Sequence, residues 1–286
     1  MRRSPYLPAL LIAVVAALLV TPARVRAITY GFVDTTNAYP NVGAFIVRSP
    51  TGEIFPLCSG TLIAPNVFLT ASHCTAYYTG VLEPQGYTAY VSFDSPIAYG
   101  DQTSRKTRLL AVAEVVTNPN YSQRQSDSGD IGVLILERDV SGITPATLPT
   151  CGLLDQLSAA GSLSGAAFTA AGYGVQNRVV GGGTPYFQDA NPVPRMYSIS
   201  SFNSLNGGYL RLSQNPATGS GGTCYGDSGG PIFLTVGGQQ VLVATTVTGD
   251  TACRSTNVVY RLDTPSAQEF FNYVNATYGT QIPTSC

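Results

Sequence analysis

Residues 222–231 read Gly-Thr-Cys-Tyr-Gly-Asp-Ser-Gly-Gly-Pro, a serine set among glycines with an acid directly before it. A serine hydroxyl is a weak nucleophile at neutral pH, so Ser228 could attack a carbonyl only beside a base that takes its proton. The chain has one histidine, His73, in Leu-Thr-Ala-Ser-His-Cys. Its imidazole titrates in the right range to accept that proton and return it. An acid to orient the imidazole is offered by Asp130, in Gly-Asp-Ile-Gly-Val-Leu-Ile-Leu. Together these residues could carry acyl transfer through a covalent intermediate on Ser228. Gly-Asp-Ser-Gly-Gly also satisfies G-x-S-x-G, the sharp strand-to-helix turn of another hydrolase design, but there the histidine follows the serine. Here none does, and that reading fails.

The elements that must hold these groups read as strands. Short β-rich runs recur between turn signals: Ala44–Val47, Thr61–Ile63, Val67–Thr70, Ala89–Phe93, Leu109–Val116, Ile131–Leu136, Ala166–Ala171, Tyr209–Leu212, Pro231–Thr235, Val241–Val247 and Val258–Leu262. His73 falls just past one run and Asp130 just before another. No stretch ahead of the C-terminus carries a helical apolar period, so an all-β chain is expected. One helix should close it: Thr264 can cap, Pro265 suits the first turn, Phe270, Val274 and Tyr278 are spaced four apart, and Gly279 supplies the stop. The Gly-, Pro- and Asn-rich stretch Gln176–Pro194, with Gly181-Gly182-Gly183 inside it, reads as a long surface loop.

Composition narrows the class. Hydrophobic residues make up 44% and charged residues 11% of the chain, which argues for a packed core and against disorder. The net charge of −1 leaves no footprint for nucleic acid. Arg2-Arg3, the apolar run Leu7–Val20 and Val25-Arg26-Ala27 resemble a secretory signal peptide over residues 1–27. The apolar run is short for a membrane span of about 20 residues. Export is therefore expected, to the extracellular side, with no membrane attachment once the leader is removed. Without the leader's four arginines the chain is mildly acidic. Six cysteines in an exported chain imply disulfides of open connectivity. No C-x-x-C spacing suggests a structural zinc, and neither metal nor cofactor is implied. Asn120 and Asn275 each head an Asn-x-Ser/Thr glycosylation pattern of low specificity.

In order His73, Asp130, Ser228, the segments Leu-Thr-Ala-Ser-His-Cys, Asp-Ile-Gly-Val-Leu-Ile-Leu and Gly-Asp-Ser-Gly-Gly-Pro resemble the trypsin/chymotrypsin-like serine endopeptidases. The resemblance covers essentially all of residues 28–286, since Ile28, Gly31 and Pro40 also fall at family intervals. It implies two six-stranded antiparallel β-barrels packed perpendicularly, near 40–150 and 160–262, with the active site between them and a C-terminal α-helix at about 265–278. It implies bridges Cys58–Cys74, Cys224–Cys253 and Cys151–Cys286, and protein or peptide substrates handled by a monomer. His73, Asp130 and Ser228 become the catalytic residues, with the N–H groups of Gly226 and Ser228 as the oxyanion hole. Asp227 becomes the partner of an N-terminal ammonium on Ile28, freed by cleavage after Ala27.

The same comparison places Gly222 at the floor of the specificity pocket, Thr223 beside it, and Gly249 and Val258 on its walls. With no charge on the floor and Val258 shortening the pocket, small to medium apolar residues are expected before the cleaved bond. The absence of a second histidine sets the chain apart from the glutamate-specific branch. Two departures stand out. Val247-Thr248-Gly249 replaces the family's Ser-Trp-Gly, so the serine that supports the catalytic Asp is lost or its role passes to Thr246. Asp250 adds a nearby acid. The competing reading is a catalytically silent homologue serving as a binding module, but no triad residue is lost.

Overall fold

The computed structural model describes residues 28–101, 106–123, 126–175, 177–179, 186–188 and 191–286. The leader expected over residues 1–27 and the glycines at 181–183 lie outside them. After the short strand β1 (Phe32–Val33), six strands form the first barrel: β2 (Val42–Arg48), β3 (Ile54–Ala64), β4 (Val67–Thr70), β5 (Thr88–Ser92), β6 (Leu110–Thr117) and β7 (Gly132–Leu136). They close antiparallel in the order β2-β3-β4-β7-β6-β5, with β5 returning to β2. The later strands are β8 (Ala167–Gly172), β9 (Asn177–Val179), β10 (Tyr186–Gln188), β11 (Met196–Leu205), β12 (Tyr209–Ser213), β13 (Pro231–Val236), β14 (Gln239–Gly249) and β15 (Thr256–Arg261). The second barrel runs β8-β11-β12-β15-β14-β13 and closes through β13–β8, while β1 adds to β11 and β9 pairs only with β10. Closure leaves neither barrel an open edge, which is how an all-β chain avoids pairing with strangers.

Each barrel interior is apolar. Phe45, Val47, Phe68, Val91, Leu134 and Leu136 fill the first; Phe168, Leu210, Leu212, Ile232, Val243 and Val259 fill the second. A further cluster runs from Ile46, Leu69 and Val133 to Phe233, Leu242 and Phe271 and joins the barrels. At that junction lies Arg195, fully buried and ion-paired to the equally buried Asp34 at 2.9 Å. The same guanidinium donates to the Val42 carbonyl and the Tyr173 hydroxyl, and to Asn37. One side chain thus ties the N-terminal segment to both barrels. Gly237 and Gly238, at φ +57° and +83°, make the two-residue turn between β13 and β14 that a tight hairpin requires.

The C-terminal helix is α3 (Pro265–Tyr278); Thr264 Oγ1 accepts from the Ala267 amide, and Gly279 ends it in the left-handed region. Its tail folds back. Asn275 donates to the Ile282 carbonyl and Ser285 reaches the Pro149 carbonyl, beside the Cys151–Cys286 disulfide. Among the described residues two short α-helices break the expectation of none before the C-terminus: α1 (Ser72–Tyr77) and α2 (Leu153–Ala159). Neither is long enough to show an apolar period. The N-terminus of α2 is capped from afar by Asp263, which accepts the Leu154 amide at 2.7 Å and also holds Arg261. The strand β11 was likewise not expected. Its inward positions include Ser198 and Ser200, fully buried opposite Ala170 and Phe168, so the usual apolar alternation is absent. The loop expected over 176–194 contains the β9–β10 hairpin.

Candidate active site

His73 sits in the first turn of α1, directly after β4, and its neighbour Cys74 is bridged to Cys58 on β3. Ser72 fixes this corner: its hydroxyl donates to the Ile131 carbonyl at 2.7 Å and accepts the Asn118 amide at 3.0 Å. Asp130 enters β7 from the other side. One of its oxygens accepts the main-chain N–H of His73 and the other meets His73 Nδ1, both at 2.8 Å. An ionised carboxylate only accepts, so this geometry assigns the proton to Nδ1 and leaves Nε2 able to act as a base. Asp130 is buried, whereas a third of the His73 side chain is exposed toward the cleft.

The Ser228 loop docks on this corner through its main chain. The Ser59 amide donates to the Ser228 carbonyl at 2.9 Å, the Gly229 amide to the Thr246 carbonyl, and the Ser59 hydroxyl to the Gly226 carbonyl. Gly229 has φ +80°, and a Cβ there would lie 2.1 Å from Thr70 Oγ1 and 2.7 Å from the Ala71 nitrogen, two residues before His73. Only glycine allows this approach. Among the described residues, the N–H groups of Gly226 and Ser228 have no hydrogen-bond partner, and no hydrogen bond joins Ser228 Oγ to the imidazole. Such contacts often tighten only with substrate in place.

A family model described as Trypsin matches residues 28–272. The chain belongs to the trypsin family. The human chymotrypsin-like elastase family member 1 is 28% identical to it over 206 residues, 71% of this chain and 74% of that protein. A venom serine protease of Polistes dominula is 30% identical over 105 residues, about a third of either chain. All three cysteine pairs implied by the resemblance are present: Cys58–Cys74, Cys151–Cys286 and Cys224–Cys253. With Cys58 and Cys74 joined, their approach to His73 offers a metal no thiolate.

In this trypsin-family chain Asp227 is completely buried. Its oxygens accept the amides of Gly174 at 2.8 Å and Cys224 at 2.9 Å, and a Cβ at Gly172 or Gly174 would collide with the carboxylate. Burial pushes its carboxyl up to about 7, with the two amides working against the shift. Ile28 is also fully buried, against Met196, and Thr29 pairs with Gly222 through a 3.0 Å bond from the Gly222 amide. No ion pair joins Ile28 to Asp227, because in the intact chain the Ile28 nitrogen is a peptide amide. An acid raised from 3.8 to about 7 on folding stays protonated in the native state over a range where the unfolded chain has lost its proton. The unprocessed chain should therefore lose stability as pH rises from about 4 to 7, by at most about 1.4 kcal/mol per unit. Denaturant unfolding at several pH values tests this, and Asp227→Asn should flatten that part of the profile.

Gly222 and Gly249 both lie against Gln214, whereas Val258 lines the space beside His73. A Cβ on Gly222 would lie 1.9 Å from Gln214 Oε1, so the space beside Gly222 is filled by Gln214, a fully buried side chain that carries no motif in the sequence. Gln214 accepts the Thr223 amide at 3.0 Å and donates to Asp250 at 3.2 Å. Asp250 also collects the amides of Arg254, Ser255 and Thr256, which overcome partial burial and hold its carboxyl below the usual range; its charge is used inside its own turn. On β15, Asn257 pairs with Leu212 and Gly249, and Val258 with Arg211 and Thr248. Successive strand residues face opposite ways, so Val258 turns into the cleft beside His73 while Asn257 shares the face of Gly249. Asn257 is fully buried and neither atom of its amide has a partner. Thr246 Oγ1 also lacks one, so it does not take over the support of Asp130.

Proposed function

We propose that this chain is a secreted serine endopeptidase. Ser228 Oγ attacks the peptide carbonyl as His73 Nε2 takes its proton; the tetrahedral oxyanion is received by the Gly226 and Ser228 amides. The C–N bond then breaks, His73 returns the proton to the leaving amine, and water repeats the sequence on the acyl-enzyme. The observation carrying this reading is the double grip of Asp130 on His73, which sets the tautomer the chemistry needs. The unpartnered Gly226 and Ser228 amides add support: two donors already directed and not needing to be released. The test is the intact mass of the secreted protein after treatment with a serine-directed sulfonyl fluoride. One adduct on Ser228, absent in His73→Ala, is expected; an unmodified protein that also hydrolyses no peptide would mean a silent homologue.

Activation is cleavage after Ala27, giving Ile28 an ammonium for the Asp227 carboxylate. The family match begins at Ile28. Ile28 is also held at φ +50°, a conformation costing a β-branched residue about 1–2 kcal/mol. Cutting the preceding bond removes the carbonyl that defines this torsion. N-terminal sequencing of the active form should begin at Ile28, and any other start overturns the idea.

The pocket takes uncharged side chains of small to medium size, since Gly222 brings no charge and Gln214 occupies the floor. The apolar preference rests on the uncharged floor at Gly222, and the size limit on Gln214, since Val258 lines the space beside His73. Cleavage dominated by Arg or Lys in peptide profiling would refute the assignment.

A further inference from the structure

Beside the triad lies a cavity of about 540 Å³, bordered by His73 and Asp130 and walled by Tyr121 and Tyr209. Its Val247–Thr248 side is where the resemblance places the substrate backbone, and the absence of a tryptophan there leaves the space open. Two groups lining it have no partner. Ser128 is 6% exposed, and its hydroxyl makes no hydrogen bond. Arg211, on β12, makes no hydrogen bond or ion pair among the described residues. The acids near it are already engaged: Asp130 by both N–H groups of His73, and the exposed Asp127 by Tyr260 and the Gly129 amide.

A guanidinium only donates, so the group that satisfies it is an acceptor, best a carboxylate. An extended substrate whose P1 side chain enters beside Gly222 turns its P2 and P4 side chains to the opposite face. That face is the one carrying Val258 and Arg211. We propose that this cavity is an acyl-side subsite for an acidic residue, Asp or Glu at P2 or P4, bound by Arg211. The assignment rests on the endopeptidase reading and names the substrate class that reading leaves open.

The test uses the processed protein and peptides of constant P1, with Glu, Gln, Ala or Lys at P2 and at P4. At one of these positions Glu should exceed Gln about tenfold in kcat/KM, the discrimination expected of a charge-assisted bond. The ratio should shrink with added salt. Arg211→Ala should bring it near one, and Arg211→Glu should invert the order in favour of Lys. Equal rates for Glu and Gln in the unaltered enzyme overturn the subsite without needing a variant. So does a preference that survives Arg211→Ala. Hydrolysis without acidic preference removes the subsite alone, whereas failure of both hydrolysis and sulfonyl fluoride labelling removes the endopeptidase reading with it.

Discussion

Replacing Ser228 by Ala should lower kcat by roughly 10⁴–10⁶, with KM little changed, and His73→Ala should do nearly the same. The double variant should be no worse than either single one. In the proposed mechanism the two side chains act as a unit, since a base without its nucleophile and a nucleophile without its base are equally idle. Asp130 makes two bonds to His73, one to the ring and one to the main chain, and Asp130→Asn keeps the second while favouring the wrong tautomer. Its loss should also reach about 10⁴. Single-turnover and steady-state kinetics on the three single variants and the double variant decide the matter. Additive losses would mean that the groups do not cooperate on one reacting atom.

The largest stability effect is expected at Arg195→Met. It leaves the Asp34 carboxylate buried without its ion pair and removes one donor each from the Val42 carbonyl and the Tyr173 hydroxyl. Breaking a buried pair from one side costs about 3–5 kcal/mol, read as a fall in Tm on the order of 10 °C. Asp34 also accepts the amides of Ala38 and Tyr39, so Asp34→Asn added to Arg195→Met should recover part of the loss, not deepen it. A Tm within about 2 °C of the unaltered protein would show that the packed barrels, not this guanidinium, hold the junction.

Much of this was written locally in the chain. The recurrent short strands and the Thr264, Pro265 and Gly279 signals gave the barrels and the final helix. The three motifs gave His73 and Asp130, which the structure brings into contact, and the Ser228 loop that docks beside them through its main chain. What escaped depends on partners distant in sequence. The strand β11 turns serines inward and is recognisable only once its neighbours close around it. The helix α2 is capped by Asp263 from beyond the second barrel. Gln214 carries no motif; its place under Gly222 comes from the β12–β15 ladder and the Asp250 turn. That Val258 lines the space beside His73 while Asn257 shares the face of Gly249 is a matter of one residue of strand register, because side chains on adjacent positions face opposite sides.

The tail bears on how long such a molecule survives among its own copies. Proteolysis starts where backbone can be pulled free, and chain ends are the usual place. Here the last residues are bound back by Asn275, by Ser285 and by the covalent link from Cys286 to Cys151. A cut within α3 would leave the far fragment attached through that link, so the first self-inflicted break need not release any piece. Were the proposed endopeptidase to cut its own copies, that tie would keep a molecule cut within α3 in one piece.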